Sequence, residues 1–472
     1  MSEQLKNPET ENEALITRAS ELLKQNEQEV EIERRDGDKE KILVRPPDKG
    51  YYEGNWLWDT GFNELGASLQ NPEKSAEIFL NFLGHSQWKN GLVPHILFYK
   101  AKPERYFPGP KYWKTENSPD APDYFTSGIT QPPVLGFCAL RIYESLKEKT
   151  PEKAESFVKE VYPRILNFHR YLFRERDPEK SGLVSIYHPW EAGLDNSPRW
   201  EDALSKISVS KEQLAETRKL RRDIKGLVAK EMRPTDEDYA RYLYLFRFAA
   251  ERNYNDKKVY PEIPFNVKDV LFNSILYASN EALYLMAEEL NDEKGKSETK
   301  EFLQKQRKGF EELYDKDSGL YYDLNTKTGA LIKRKTVACF TPMFAGVTTM
   351  EQAQKMAEIL KGRDFQGEYS EFLIPSTARS DPSFHSKAYW RGPIWLPTNW
   401  LVIRGLERMG LSQDAEDIKK YSLELVKESG FAEYYNPDTN EPLGRGDFSW
   451  TASLAIDFAK GGNYWQKIWN KS

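Results

Sequence analysis

Residues 152–174 read EKAESFVKEVYPRILNFHRYLFR, and within them Phe157, Val158, Val161, Tyr162, Ile165, Phe168 and Leu172 form one apolar stripe. Recurrence at three and four residues is the period of an α-helix with one buried face. Working outward, the same period predicts helices over 10–30 (with Leu15, Ala19, Leu22 and Leu23), 74–83, 131–147, 267–290, 297–314, 350–361, 394–409 and 413–428. Turn-rich loops rather than strands separate them, which excludes a β/α barrel. The exception lies at 30–45. There Val30 and Ile32 alternate, Asp36-Gly37 follows, and Ile42 and Val44 alternate again, which predicts a small β-ribbon.

An irregular internal repeat organises these helices. Ser181-Gly182-Leu183, Ser318-Gly319-Leu320 and Ser429-Gly430-Phe431 each follow a helix, and Asn90-Gly91-Leu92 is a looser copy. Repeated helical units with loops gathered at one end predict an all-α toroid. The expected division is an N-terminal helix and β-ribbon extension over 1–50, then a barrel over 51–472. The polar, Lys-rich segment 203–232 reads as a helical insertion able to cover one end.

The 472 residues are 39% hydrophobic and 30% charged, as in a folded globular protein. The 68 Lys+Arg against 74 Asp+Glu give a formal charge of -6 without a basic block, which argues against a nucleic-acid partner. The start, Met1 to Glu9, is polar and acidic, with neither the basic start nor the apolar stretch of an export signal. No apolar run approaches a membrane span. The expectation is a soluble cytoplasmic protein. The two cysteines, Cys138 and Cys339, lie among apolar residues and read as buried thiols. With five scattered histidines, they give no metal-ligand spacing, so neither metal nor cofactor is expected.

The unusual part of the composition is aromatic, with 12 Trp, 26 Tyr and 24 Phe. Aromatic faces hold the C–H faces of sugar rings, while carboxylates and amides hold hydroxyls. Five segments combine the two. Tyr51 to Phe62 contains Tyr52, Trp58 and Asp59, Asp59 being equally a helix N-cap. Thr126-Ser127-Gly128-Ile129-Thr130-Gln131-Pro132-Pro133 places the Gln131 amide before a helix opened by the Pro pair. His188 to Trp200 sets Asp195 in an irregular loop between Trp190 and Trp200. A carboxyl beside an indole loses solvation and keeps its proton, as a general acid requires, although Asp-Asn-Ser-Pro is also ordinary turn chemistry. Tyr389 to Trp400 gathers Trp390, Arg391 and Trp395 at a helix that Gly392-Pro393 opens. Glu433 lies in an aromatic, strand-like segment before a loop, and is the second carboxylate candidate.

Together these five ordered motifs resemble the bacterial branch of glycoside hydrolase family 63 and, within it, the mannosylglycerate and glucosylglycerate hydrolases. The resemblance runs from about Tyr51 to Ala455. It implies an (α/α)6 barrel and inverting hydrolysis of an α-glycosidic bond, with Asp195 as general acid and Glu433 as general base. It implies a small carbohydrate as the partner, held by Tyr52, Trp58, Asp59, Gln131, Trp190, Trp390 and Trp395. Arg233 and Arg391 are the cations available for a glycerate carboxylate. Three further readings stand beside it: an α-glucosidase acting on gluco-oligosaccharides, a sugar epimerase and a non-catalytic sugar-binding protein. The sugar and a homo-oligomeric state are left open.

Overall fold

The 157–172 stripe lies in a helix running Pro151–Glu175, with every stripe residue buried. Pro151 sits in its first turn, where a missing N–H costs no hydrogen bond. The computed structural model describes residues 8–104, 106–221, 233–366, 373–462 and 464–469. In chain order the barrel helices are α1 (Pro8–Asn26), α2 (Leu57–Ala67), α3 (Pro72–Ser86), α4 (Leu135–Lys149), α5 (Pro151–Glu175) and α6 (Val270–Glu289). They continue with α7 (Glu293–Gly309), α8 (Pro342–Ala345), α9 (Met350–Lys361), α10 (Leu396–Arg408), α11 (Ser412–Ser429) and α12 (Ser449–Lys460).

Even-numbered helices form a closed inner ring, each against the next and α12 against α2, while odd-numbered helices lie outside. This is an (α/α)6 barrel. Composition separates the layers: α6 is buried along nearly its whole length, whereas α7 buries little beyond Gly295, Thr299, Gln306 and Gly309. Inner helices touch at small residues. A Cβ on Gly66 would overlap the Ser453 carbonyl of α12, and one on Gly136 would overlap Ser279 of α6. The repeat has a conformational basis too. Gly91, Gly182, Gly319 and Gly430 all adopt positive φ, and Asp177 and Asp315 accept the N–H groups of Ser181 and Ser318 in two of these turns.

The N-terminal segment is not an appendage to this ring. Helix α1 packs on α12, and Asn26 donates to Asp447 O and Ser449 Oγ, each at 2.9 Å. Arg45 pairs with Glu64 of α2 and donates to Leu23 O. The expected boundary at residue 50 therefore divides the sequence and not the packing. The ribbon is present as β1 (Gln28–Glu33) paired antiparallel with β2 (Lys39–Val44).

Other expectations need correction. The loops do carry strands, short ones, including β3 (Gly54–Trp56) with β4 (Ile96–Phe98) and β5 (Tyr434–Tyr435) with β6 (Pro442–Leu443). Pro132-Pro133 and Gly392-Pro393 precede their helices without opening them, since α4 begins at Leu135 and α10 at Leu396. Within the Lys-rich insertion, Lys211–Leu220 is a helix opened by a Ser210/Gln213 capping box. It packs on a further helix, Asp236–Ala250, which the sequence reading missed. Residues 222–232 of the insertion lie outside the described residues. Among the described residues no helix is long and apolar enough to cross a membrane.

Candidate active site

Four inner helices begin around one cavity of about 970 Å³, counting its open mouth. Trp58 and Asp59 come from the first turn of α2, Gln131 precedes α4, Trp390 precedes α10, and Trp450 lies in the first turn of α12. Trp56, not Asp59, occupies the N-cap position of α2 and offers no side-chain cap. Gln131 takes that role instead, its Oε1 accepting the Trp58 N–H at 3.3 Å, and the residue lines the cavity.

The segment carrying Asp195 is anchored before and after by buried ion pairs. Ahead of it, Glu191 pairs with Arg176 and accepts the backbone N–H groups of Thr130 and Tyr187. Behind it, Arg199 pairs with both Asp269 and Asp323. Between the anchors, His188 Nδ1 accepts the Trp190 N–H at 3.0 Å, and burial pushes the His188 imidazole down to about 3, so the ring stays neutral. Gly193 has φ +74°, and Trp58 packs where its Cβ would be. Only glycine allows both that backbone and that contact. The Asp195 carbonyl accepts the Tyr242 hydroxyl at 2.8 Å, and Asp195 lines the cavity.

Glu433 approaches from the far end of the chain, immediately before β5. Its backbone N–H donates to Arg445 O at 2.7 Å and its carbonyl accepts the Trp450 indole N–H. The carboxylate accepts the Arg445 N–H at 3.0 Å and is 2% exposed.

Three carboxyl groups thus share one enclosed space, and burial holds all three above the usual carboxylate range. Asp195 is raised by desolvation, with Arg233 opposing and the charges of Asp59 and Glu433 adding to the rise. Asp59 is pushed up to about 8 by desolvation and by Glu433. Glu433 is also raised by desolvation, while Arg233 and the Arg445 N–H favour its charged form. Asp195 and Glu433 differ in their partners: Glu433 accepts the Arg445 N–H, a donor that favours its charged form.

Of the residues singled out in the sequence, Tyr52, Trp58, Asp59, Gln131, Trp190, Asp195, Arg233, Trp390 and Glu433 line this cavity. Two do not. Trp395 stacks beneath Trp390, with ring centroids 3.8 Å apart and planes 10° apart, and serves as its support. Arg391 is not among the residues lining the cavity and pairs with Glu201 instead. The cavity also takes in Tyr51, Trp56, His95, Tyr106, Phe107, Pro234, Tyr239, Tyr389, Phe448 and Trp450, which had no assigned role. Tyr51, Trp56 and Tyr389 stood inside the aromatic motifs. His95, Tyr106, Phe107 and Tyr239 carried no such signal. Among the described residues no group of His, Cys, Asp and Glu is placed to hold a metal ion.

A toroid of paired helices around a pocket lined by indoles and carboxyl groups fits a glycoside-cleaving enzyme. The chain matches the family described as "Mannosylglycerate hydrolase MGH1-like glycoside hydrolase domain" over residues 51–451. It belongs to that family and is a glycoside hydrolase. It is 40% identical over 411 residues to the mannosylglycerate hydrolase MGH1 of Selaginella moellendorffii, covering 87% of this chain and 81% of that protein. It is 32% identical to the glucosylglycerate hydrolase of Mycolicibacterium hassiacum, over 86% of this chain and 92% of that one. Its fold is similar to the crystal structure of the family 63 mannosylglycerate hydrolase of Thermus thermophilus in complex with Tris. There the TM-score is 0.83 at 36% identity, over 94% of this chain and 99% of the other.

Proposed function

We propose that this protein hydrolyses the α-glycosidic bond of glucosylglycerate or mannosylglycerate with inversion, giving the free sugar and glycerate. The observation that carries the reading is the meeting of Asp195, Glu433 and Arg233 in a single aromatic cavity. Asp195 donates its proton to the glycosidic oxygen as the bond to the anomeric carbon breaks. Glu433 takes a proton from the water that attacks the opposite face. An inverting pair stands about 6.5–9.5 Å apart, leaving room for that water.

The ring lies against Trp58, Trp190 and Trp390, with Tyr52, Asp59 and Gln131 supplying hydroxyl partners. Arg233, beside both carboxyl groups, faces the glycerate carboxylate, because a planar guanidinium matches a carboxylate in two parallel hydrogen bonds. A small charged glycoside is a solute that belongs with a cytoplasmic enzyme. Neither metal nor cofactor enters this chemistry.

The test is sugar release from α-glucosylglycerate, α-mannosylglycerate and maltose, followed by proton NMR within the first minutes. The expected result is hydrolysis of a glycerate glycoside with the β-anomer of the sugar appearing first. Initial α-anomer would overturn inversion, and cleavage of maltose alone would overturn the substrate class.

A further inference from the structure

The side chain of Asn196, next to Asp195 in the chain, does not enter the cavity. It is 4% exposed and reaches across to the segment before α10. Its Oδ1 accepts the Trp390 N–H at 2.9 Å, and its Nδ2 donates to the Ala388 carbonyl at 3.4 Å. These two groups flank Tyr389, whose φ is +53°. A left-handed backbone is uncommon for a residue with a bulky side chain and persists only where its surroundings hold it. The Tyr389 carbonyl is held as well, accepting the Trp395 indole N–H at 3.1 Å. Tyr389 lines the cavity, and the Arg233 guanidinium lies over its ring.

We propose that Asn196 is a positioning residue that clasps the peptide groups on either side of Tyr389, so that the loop presenting the acid also fixes the ring on which Arg233 rests. The cleaving and the glycerate-facing parts of the site are then set by one short segment, 195–196. A second tie runs in parallel, since Glu201 pairs with both Arg391 and Arg334. That tie is half-exposed on its Glu201 side and spans side chains only. Asn196 is buried and acts on backbone, which is what a φ angle requires. The inference rests on the reading in which Arg233 meets the glycerate carboxylate.

The test is a double-mutant cycle between Asn196→Ala and Arg233→Ala, with KM and kcat measured on a glycerate glycoside and on an uncharged α-glucoside. Asn196→Ala is expected to raise KM for the glycerate glycoside about tenfold, and to change that of the uncharged substrate less than about threefold. In the Arg233→Ala background it should change the glycerate KM by less than about twofold. Asn196→Asp, which keeps the acceptor for Trp390 and loses the donor to Ala388, should fall between. Losses that multiply across the two variants, or that are equal on both substrates, would overturn the coupling while leaving Arg233 in place. An unchanged glycerate KM in Arg233→Ala would overturn the carboxylate reading and this route with it. If circular dichroism shows that Asn196→Ala does not fold, the same cycle with Asn196→Asp separates the same two outcomes.

Discussion

The Arg233 guanidinium lies over the Tyr389 ring, 4.6 Å from its centroid, at the wall of a cavity that also holds Asp195 and Glu433. The buried Arg233 Nε has no hydrogen-bond partner among the described residues. Arg233→Ala is therefore expected to raise KM for a glycerate glycoside and to leave an uncharged α-glucoside nearly unaffected. A hydrogen bond to a charged group contributes about 1.5–3 kcal/mol. That is roughly tenfold to a hundredfold in kcat/KM. Equal losses on the two substrates would make Arg233 part of the scaffold.

Asp195 and Glu433 should respond differently to the leaving group. Asp195→Asn removes the proton that a glycerate alkoxide needs, so turnover of the natural glycoside should fall by at least about a hundredfold. An activated aryl glycoside, whose phenolate leaves unaided, should lose much less. Glu433→Gln should suppress both, since water must still be activated. Steady-state kinetics on the two substrates decide the assignment.

Asp59 carries a pH dependence that its ordinary value of 3.8 would not give. With its carboxyl pushed up to about 8, the folded protein keeps a proton that the unfolded chain has released. Stability from this group is greatest at low pH, falls through the window from about 4 to about 8, and levels off above it. The slope approaches about 1.4 kcal/mol per pH unit inside the window. Asp59→Asn removes that slope. Thermal unfolding should show the variant gaining on the parent between about pH 5 and 8, with a constant gap above that. A gap independent of pH would contradict the shift.

Gly66 is expected to tolerate no side chain. A methyl group there meets backbone of α12, which cannot rotate away as a side chain could. Gly66→Ala should destabilise the barrel by at least about 1–3 kcal/mol, the range for overpacking, and lower the denaturation midpoint. An unchanged midpoint would mean that α2 and α12 separate easily.

The outer helices were legible because water on one side leaves a stripe on the other, as in Phe157 to Leu172. Helix Asp236–Ala250 buries Tyr239, Tyr242, Leu243 and Phe246 at the same period, yet the sequence reading stops at the Lys-rich run before it. Asp195 could be found because glycine, asparagine and proline around a carboxylate between two tryptophans mark a shaped loop. Arg391 misled because neighbours in sequence diverge in space. Trp390 turns to the cavity, and the next side chain turns to Glu201. His95 and Tyr106 reach the site by the pairing of β4 with β3 and the loop after it, and pairing across such a distance leaves no local pattern.

The seam between α2 and α12 has a consequence for how the protein is made. Ring closure joins residues 57–67 to residues 449–460, so a nascent chain carries an open arc until α12 has left the ribosome. Until α12 emerges, α2 lacks its neighbour and presents apolar and small-residue surface to water. Contacts of such separation close late and slowly. The vulnerable period is then set by translation rather than by folding of any one hairpin, and a chaperone would be met on that arc.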